Sequence, residues 1–253
     1  MPDFVINKLT VSNTTQERFH QIAEYVMTGG ADFSFNCVIP MPRELDVIDD
    51  HRCAQFEEMY WKFCGPESRW SDVLNISKQE YEKIRMTPIM ERNLSAMGFR
   101  PMTNSEVTTE ERAILEMRFQ MSRARMDNVS PLAYGHRLIM NRLIFGAPTW
   151  HGWRIAHWGT KWDAISSEVL PAGFGWSFST VMMPCDPIVK ALSVIFPEAE
   201  FTLEHADEEG EGLGCGVVKY QNGDIIDLIT LSDGSREAIQ FARDICEEER
   251  SGL

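Results

Sequence analysis

The sequence has no run of apolar residues approaching the roughly 20 that a bilayer span requires, so no transmembrane helix is expected. Met1 to Val11 lack the basic start and continuous apolar stretch of a secretory leader, and a cytoplasmic protein is expected. The six cysteines, Cys37, Cys53, Cys64, Cys185, Cys215 and Cys246, are scattered, with no two separated by two to four residues. That spacing removes zinc-knuckle and thioredoxin-type patterns, and reduced, partly buried thiols are expected. Coiled-coil heptads are absent and internal repeats scarce, which speaks against a structural part of a particle. Bases are few toward the C-terminus: residues 200–250 carry 14 acids and 4 bases, a net of −10. Such a surface disfavours non-specific nucleic-acid binding, although it could imitate nucleic acid for a partner. Residues 51–150, with 12 acids and 14 bases, are nearly neutral, and the contrast suggests two modules.

What the chain has in excess is tryptophan in one place. Four of its seven tryptophans lie in the fourteen residues Trp150 to Asp163, with His151, His157, Lys161 and Asp163 among them. Around this stretch the hydrophobic pattern alternates between two periods. Phe4 to Val11 reads as a strand with Val5, Leu9 and Val11 on one face and Asn7 among them. Thr14-Thr15-Gln16-Glu17 fits a capping box, with Thr14 as the cap, ahead of a helix whose stripe is Phe19, Ile22, Ala23, Val26 and Met27. Gly29-Gly30 stops that helix, and Phe33 to Ile39 reads as a returning strand ended by Pro40-Met41-Pro42.

Residues 46–149 read as a mainly helical insertion. Helix signals recur at His51 to Phe63, Ser77 with Glu80, Pro88 to Gly98, Thr108 with Glu111, and Ser130-Pro131 to Phe145. Its methionines read as adaptable packing. Arg118, Arg123, Arg125, Arg137 and Arg142, with His136, could present a phosphate-binding face, but acids such as Glu116 and Asp127 dilute the patch and solvated helix surfaces are the favoured account. After the tryptophans, Gly173 to Met183 reads as a strand with Trp176, Phe178 and Thr180 on one face. Asp186-Pro187 starts a helix, with Asp186 as its cap, and Glu200 to His205 is a strand. Cys215 to Tyr220 and Ile225 to Leu231 form a hairpin through Asn222-Gly223, and Ser235 starts a final helix. Two β-α-β halves, 1–45 and 150–253, around the insertion predict an α+β, ferredoxin-like sandwich: an antiparallel sheet with helices on one face.

Several segments resemble a known family. Asn7-Lys8-Leu9-Thr10-Val11, Ile39-Pro40-Met41-Pro42 and above all His157-Trp158-Gly159-Thr160-Lys161-Trp162-Asp163 are similar to phage- and plasmid-borne proteins with a YubB-type ferredoxin-like domain. Phe178-Ser179-Thr180, Asp186-Pro187-Ile188, Ile195-Phe196-Pro197, His205-Ala206-Asp207-Glu208 and Tyr220-Gln221-Asn222-Gly223 follow in the family's order. The resemblance covers roughly 1–45 and 150–231. It implies the ferredoxin-like fold and a mobile-element origin, but no established activity. One departure is local: the Trp that usually follows Thr180 is replaced by Val181-Met182-Met183-Pro184.

Candidate binding residues are therefore His157, Trp158, Lys161, Trp162 and Asp163. A histidine and a lysine among aromatics, with a carboxylate to orient either, could serve acid–base chemistry. The packing alternative has Trp158 and Trp162 joining the sheet to the insertion and Lys161 paired with Asp163. His205 with Asp207, Glu208, Glu209 and Glu211 could hold a hard cation, but the spacing fits no calcium loop. Gly210 to Gly216 lacks the Gly-Lys-Ser/Thr ending of a phosphate loop, and Cys215 has no neighbouring base. No catalytic residue, metal or cofactor is assigned. The expected role is a binding module acting on a host protein or nucleic acid in the bacterial cytoplasm, without membrane contact. The alternative is an enzyme or small-ligand-binding protein with its site at 150–163.

Overall fold

The computed structural model describes residues 4–28, 32–73, 75–99, 129–171, 173–207 and 214–251, with positions 110, 113, 114, 117, 118 and 121. In chain order the elements are β1 (Phe4–Ser12), α1 (Gln16–Val26), β2 (Met27–Thr28), β3 (Asp32–Phe33) and α2 (Phe35–Val38). Then come α3 (Arg52–Cys64), α4 (Lys78–Ile84), α5 (Pro88–Ala96), α6 (Pro131–Phe145) and α7 (Trp150–Trp158). The chain continues through β4 (Ile165–Val169), β5 (Gly175–Val181), α8 (Asp186–Ile195), β6 (Glu200–Asp207), β7 (Cys215–Gln221), β8 (Asp224–Leu231) and α9 (Arg236–Ser251). Two compact units result: Met1–Met41 with Arg154–Leu253, and Pro42–Trp153. The division falls inside α7.

The first unit is an α+β ferredoxin-like domain. Its sheet has the order β4-β5-β1-β6-β7-β8, and every neighbouring pair is antiparallel. Strand alternation puts Val5, Leu9 and Val11 on the same face as Trp176, Phe201 and Leu203, all buried. Helix α1 covers this face through Phe19, whose ring lies 5.1 Å from that of Trp176. Helix α8 joins it with Ile188, Val189 and Leu192. The opposite face is covered too, contrary to the one-sided arrangement expected. Ile6, Ala206 and Cys215 pack there against Ala238, Ala242 and Ile245 of α9. Both Val5 and Ile6 are buried, so β1 is apolar on both faces at that end. The Cys215 thiol is buried in this layer, and burial raises its pKa, which argues for packing over nucleophilic chemistry.

Local corrections have local causes. The cap of α1 is Thr15, not Thr14: its hydroxyl accepts from the Arg18 N–H. Asp186 belongs to the first turn of α8, after Cys185, and its carboxylate accepts from the Tyr220 hydroxyl at 2.8 Å. Strand β4 carries Ile165, Ser167 and Val169, too short and polar a pattern to register as a strand. The hairpin signal at Asn222-Gly223 is borne out, with φ of 49° and 83°. Gly29-Gly30 and the Thr108–Glu111 box lie outside the described residues.

The largest correction concerns Phe33 to Ile39. Only Asp32–Phe33 is extended, paired with Met27–Thr28, and Phe35–Val38 is a helical turn. The first half is thus not a β-α-β unit whose second strand enters the sheet.

The second unit is the helical insertion. Phe56, Tyr60 and Phe63 of α3 share a core with Leu132, Leu138 and Ile139 of α6, joined by Met59 and Met86. Ser77 caps α4 by accepting from Glu80 N–H, and Thr87 caps α5 ahead of Pro88. Arg137 donates to the Glu44 carbonyl, and Arg142 donates to the Glu57 carboxylate at 2.7 Å while lying over Phe99. These two arginines of the suggested phosphate face therefore serve internal contacts. Arg123 and Arg125 lie outside the described residues.

Candidate functional site

Residues 158–163 form a clasp inside the ferredoxin-like unit. Helix α7 ends at Trp158, and Gly159 turns the chain at φ 82°, a conformation that disfavours any side chain. A β-carbon at Gly159 would also stand 2.8 Å from the Pro184 carbonyl oxygen, so the position requires glycine twice over. Three side chains then fasten three places. The Trp158 indole is 1% exposed, packs edge-on against Phe35, and donates its N–H to the Ile39 carbonyl at 2.9 Å. The Thr160 hydroxyl donates to the Val181 carbonyl at 3.0 Å and accepts from the Val181 N–H, tying it to the end of β5. The Asp163 carboxylate accepts from the Ser34 hydroxyl at 2.8 Å and from the Phe35 N–H at 2.6 Å. Trp158 and Asp163 thereby hold the two ends of the α2 turn.

This explains why Phe33 to Ile39 does not continue as a strand. Phe33 stacks on Phe178 and Phe35 meets it edge-on, so both rings of the apparent alternation are used. The backbone between them is capped by a carboxylate 128 residues distant. No local pattern could have revealed that partner.

The five candidate residues divide accordingly. Trp158 is core and Asp163 is a cap. Its oxygens also accept from the Ala164 N–H, so it serves the backbone and not Lys161 as the packing alternative held. His157 is exposed on α7. Lys161 lies over the Trp162 ring at 5.4 Å, a cation–π arrangement, and Trp162 is 39% exposed. The Trp158 indole is bonded to Ile39 and packed on Phe35, at and beside the α2 turn of its own unit. The acid–base reading loses its orienting carboxylate for the same reason.

A second segment missed in the sequence lies beside the clasp. Because Thr160 is bonded to Val181, the chain leaves this anchor as Lys161-Trp162 on one side and Met182-Met183 on the other. The Met183 carbonyl accepts from the Thr180 hydroxyl, which in turn accepts from buried Asn7 at 2.8 Å. Met182 sits at φ 67°, strained for a non-glycine residue, and Met182 and Met183 are 57% and 53% exposed. The buried chain Asn7–Thr180–Met183 thus holds two methionines outward. The departure at Val181-Met182-Met183-Pro184 was the signal.

Of the suggested cation ligands, Asp207 is buried and His205 is half-buried on the α8 side of the sheet, opposite Asn7. Glu208, Glu209, Glu211 and most of Gly210 to Gly216 lie outside the described residues. Among the described residues no group of three His, Cys, Asp or Glu side chains could hold a metal. Burial lowers the His205 pKa below its ordinary 6.5, partly offset by Asp186, and burial does the same to His136 in the helical unit. Each ring is therefore harder to protonate in the fold than in the unfolded chain. Below pH 6.5 the unfolded chain takes up protons that the native state still refuses, so stability is present above that value and lost as pH falls through the lowered folded values. The urea midpoint is expected to fall between about pH 7 and about pH 5. His205→Gln should flatten part of that slope, and an unaltered slope would refute the assignment.

The architecture defines an α+β domain of the ferredoxin-like class, clasped at one corner and carrying a helical insertion. Residues 157–248 match the family model described as the ferredoxin-like domain in Api92-like protein. The crystal structure of a protein Api92 from Yersinia pseudotuberculosis aligns over 93% of this chain and 100% of its own, with 12% identity and a TM-score of 0.38. No curated protein matches the chain. Among the described residues no helix is long and apolar enough to cross a membrane.

Proposed function

We propose that this is a binding module, an accessory protein of a phage or plasmid that engages a host protein in the bacterial cytoplasm. The observation that carries the reading is the corner at the Thr160–Val181 anchor, where Trp162, Met182 and Met183 are exposed beside half-buried Lys161. Tryptophan anchors are enriched where binding energy concentrates, and methionines adapt to a partner's contour. Large apolar side chains held outward at a strained turn cost stability, which a recognition role would justify. A protein partner fits this corner better than nucleic acid, since its exposed elements are mainly apolar and the chain carries −14 net charge.

The test is retention of host proteins on the immobilised chain at physiological salt. Trp162→Ala is expected to reduce capture of a specific partner by about tenfold or more, with the thermal midpoint nearly unchanged because the ring is already partly solvated. Met182→Ala with Met183→Ala should weaken it further. Equal capture by native protein and by the triple variant would sink the proposal.

A further inference from the structure

A different surface carries a second reading, independent of the clasp. Strand β8, Asp224 to Leu231, is the last strand of the sheet, and among the described residues no strand pairs with its outer side. Ile225, Ile226, Leu228 and Ile229 are each 48–57% exposed. They do not share a face. Leu228 stands opposite Val218 on the α1/α8 face, whereas Ile229 stands opposite Val217 on the α9 face. A strand apolar on both faces has the pattern of a sheet interior, not of a solvated edge.

The two edges of the sheet differ in how they are guarded. At β4 the strand has five residues, its register shifts between Ile165 and Glu168, and Ser166 sits at φ 52°. Short length and a bulge are devices that keep an edge from recruiting another strand. In β8 the irregularity is confined to the turn end, opposite Lys219 and Tyr220, and Asp227 to Leu231 run in regular register with Lys219 to Cys215. The segment contains no proline and no lysine.

We infer that β8 pairs antiparallel with β8 of a second copy, continuing the sheet across a two-fold axis. An axis perpendicular to the sheet keeps each face on its own side, so the pairing must centre on a residue. Centring on Asp227 would oppose two carboxylates. Centring on Leu228 sets Leu228 against its own copy and Asp227 against Ile229. Each Asp227 then remains beside Lys219 of its own chain, and no like charges stand directly opposite. This register spans Ile225 to Leu231 and covers the exposed apolar residues on both faces. The charge of −14 per copy opposes approach at long range. Salt screens that term while leaving apolar pairing in place, so association strengthens with ionic strength.

Sedimentation velocity on the full chain tests this. The dimer fraction is expected to rise with protein concentration, and to rise further between about 50 mM and about 500 mM salt. Leu228→Lys is expected to weaken association by about a hundredfold, as is Ile229→Lys on the other face, each with a thermal midpoint near that of the native chain. Amides of residues 225–231 should exchange slowly in the native dimer and rapidly in either variant. A native chain monomeric at about 100 µM in high salt overturns the proposal. So does a dimer that survives both lysine variants, or one that forms without protecting 225–231.

Discussion

Trp158→Ala is expected to lower the unfolding free energy by about 3–5 kcal/mol, the range for truncating a large buried aromatic. Two terms add. The cavity left beside Phe35 opens in a layer where Phe33, Phe35 and Phe178 rest on one another. The Ile39 carbonyl also loses its donor, and a buried acceptor without a partner costs about 1–3 kcal/mol unless water reaches it. Trp158→Phe separates the terms: it restores most of the apolar volume but not the N–H, and about half the loss should remain. Urea titration followed by far-UV circular dichroism measures both. A cost below about 1 kcal/mol for the alanine variant would mean that the indole does not hold the α2 turn.

Gly135→Ala should destabilise the helical unit by about 2 kcal/mol or more, against the direction that helix propensity alone would give. In an exposed helix, glycine to alanine is worth about 1 kcal/mol of stabilisation. Here the added β-carbon would stand 2.3 Å from the Phe56 carbonyl oxygen and 2.9 Å from Tyr60 Cβ. These are backbone and near-backbone atoms of α3, which cannot rotate away as a side-chain tip would. The two helices must separate, and overpacking of that kind costs about 1–3 kcal/mol, occasionally more. Hydrogen exchange should show lost protection over Arg52–Cys64 and Pro131–Phe145. A variant as stable as the native chain would show that α3 and α6 do not cross closely at this point.

Both sites show why part of the structure was legible and part was not. The strand of Phe4 to Ser12, the hairpin at Asn222-Gly223, the Ser77 cap and the helix from Pro131 rest on neighbours a few residues apart. Period and cap chemistry are local, and local signals are written in order along the chain. The α+β class and the helical block between the two sheet-forming segments follow from those signals alone. So does the importance of the tryptophan stretch, though not its division of labour.

The tertiary structure decided everything that depends on a distant partner. The Asp163 carboxylate meets Phe35 across 128 positions, the Trp158 indole meets Ile39 across 119, and Asn7 meets Thr180 across 173. Neighbours in sequence name none of these partners, and each group satisfies a distant backbone group or a buried hydroxyl. A polar group taken from water must find a partner, and only the folded chain determines which. The same holds for exposure. In the sequence Leu228 and Ile229 are simply members of a hairpin strand; sheet order leaves them at an edge that no strand among the described residues pairs. Sequence determined what each segment prefers to be; the fold determined what each side chain is left to touch.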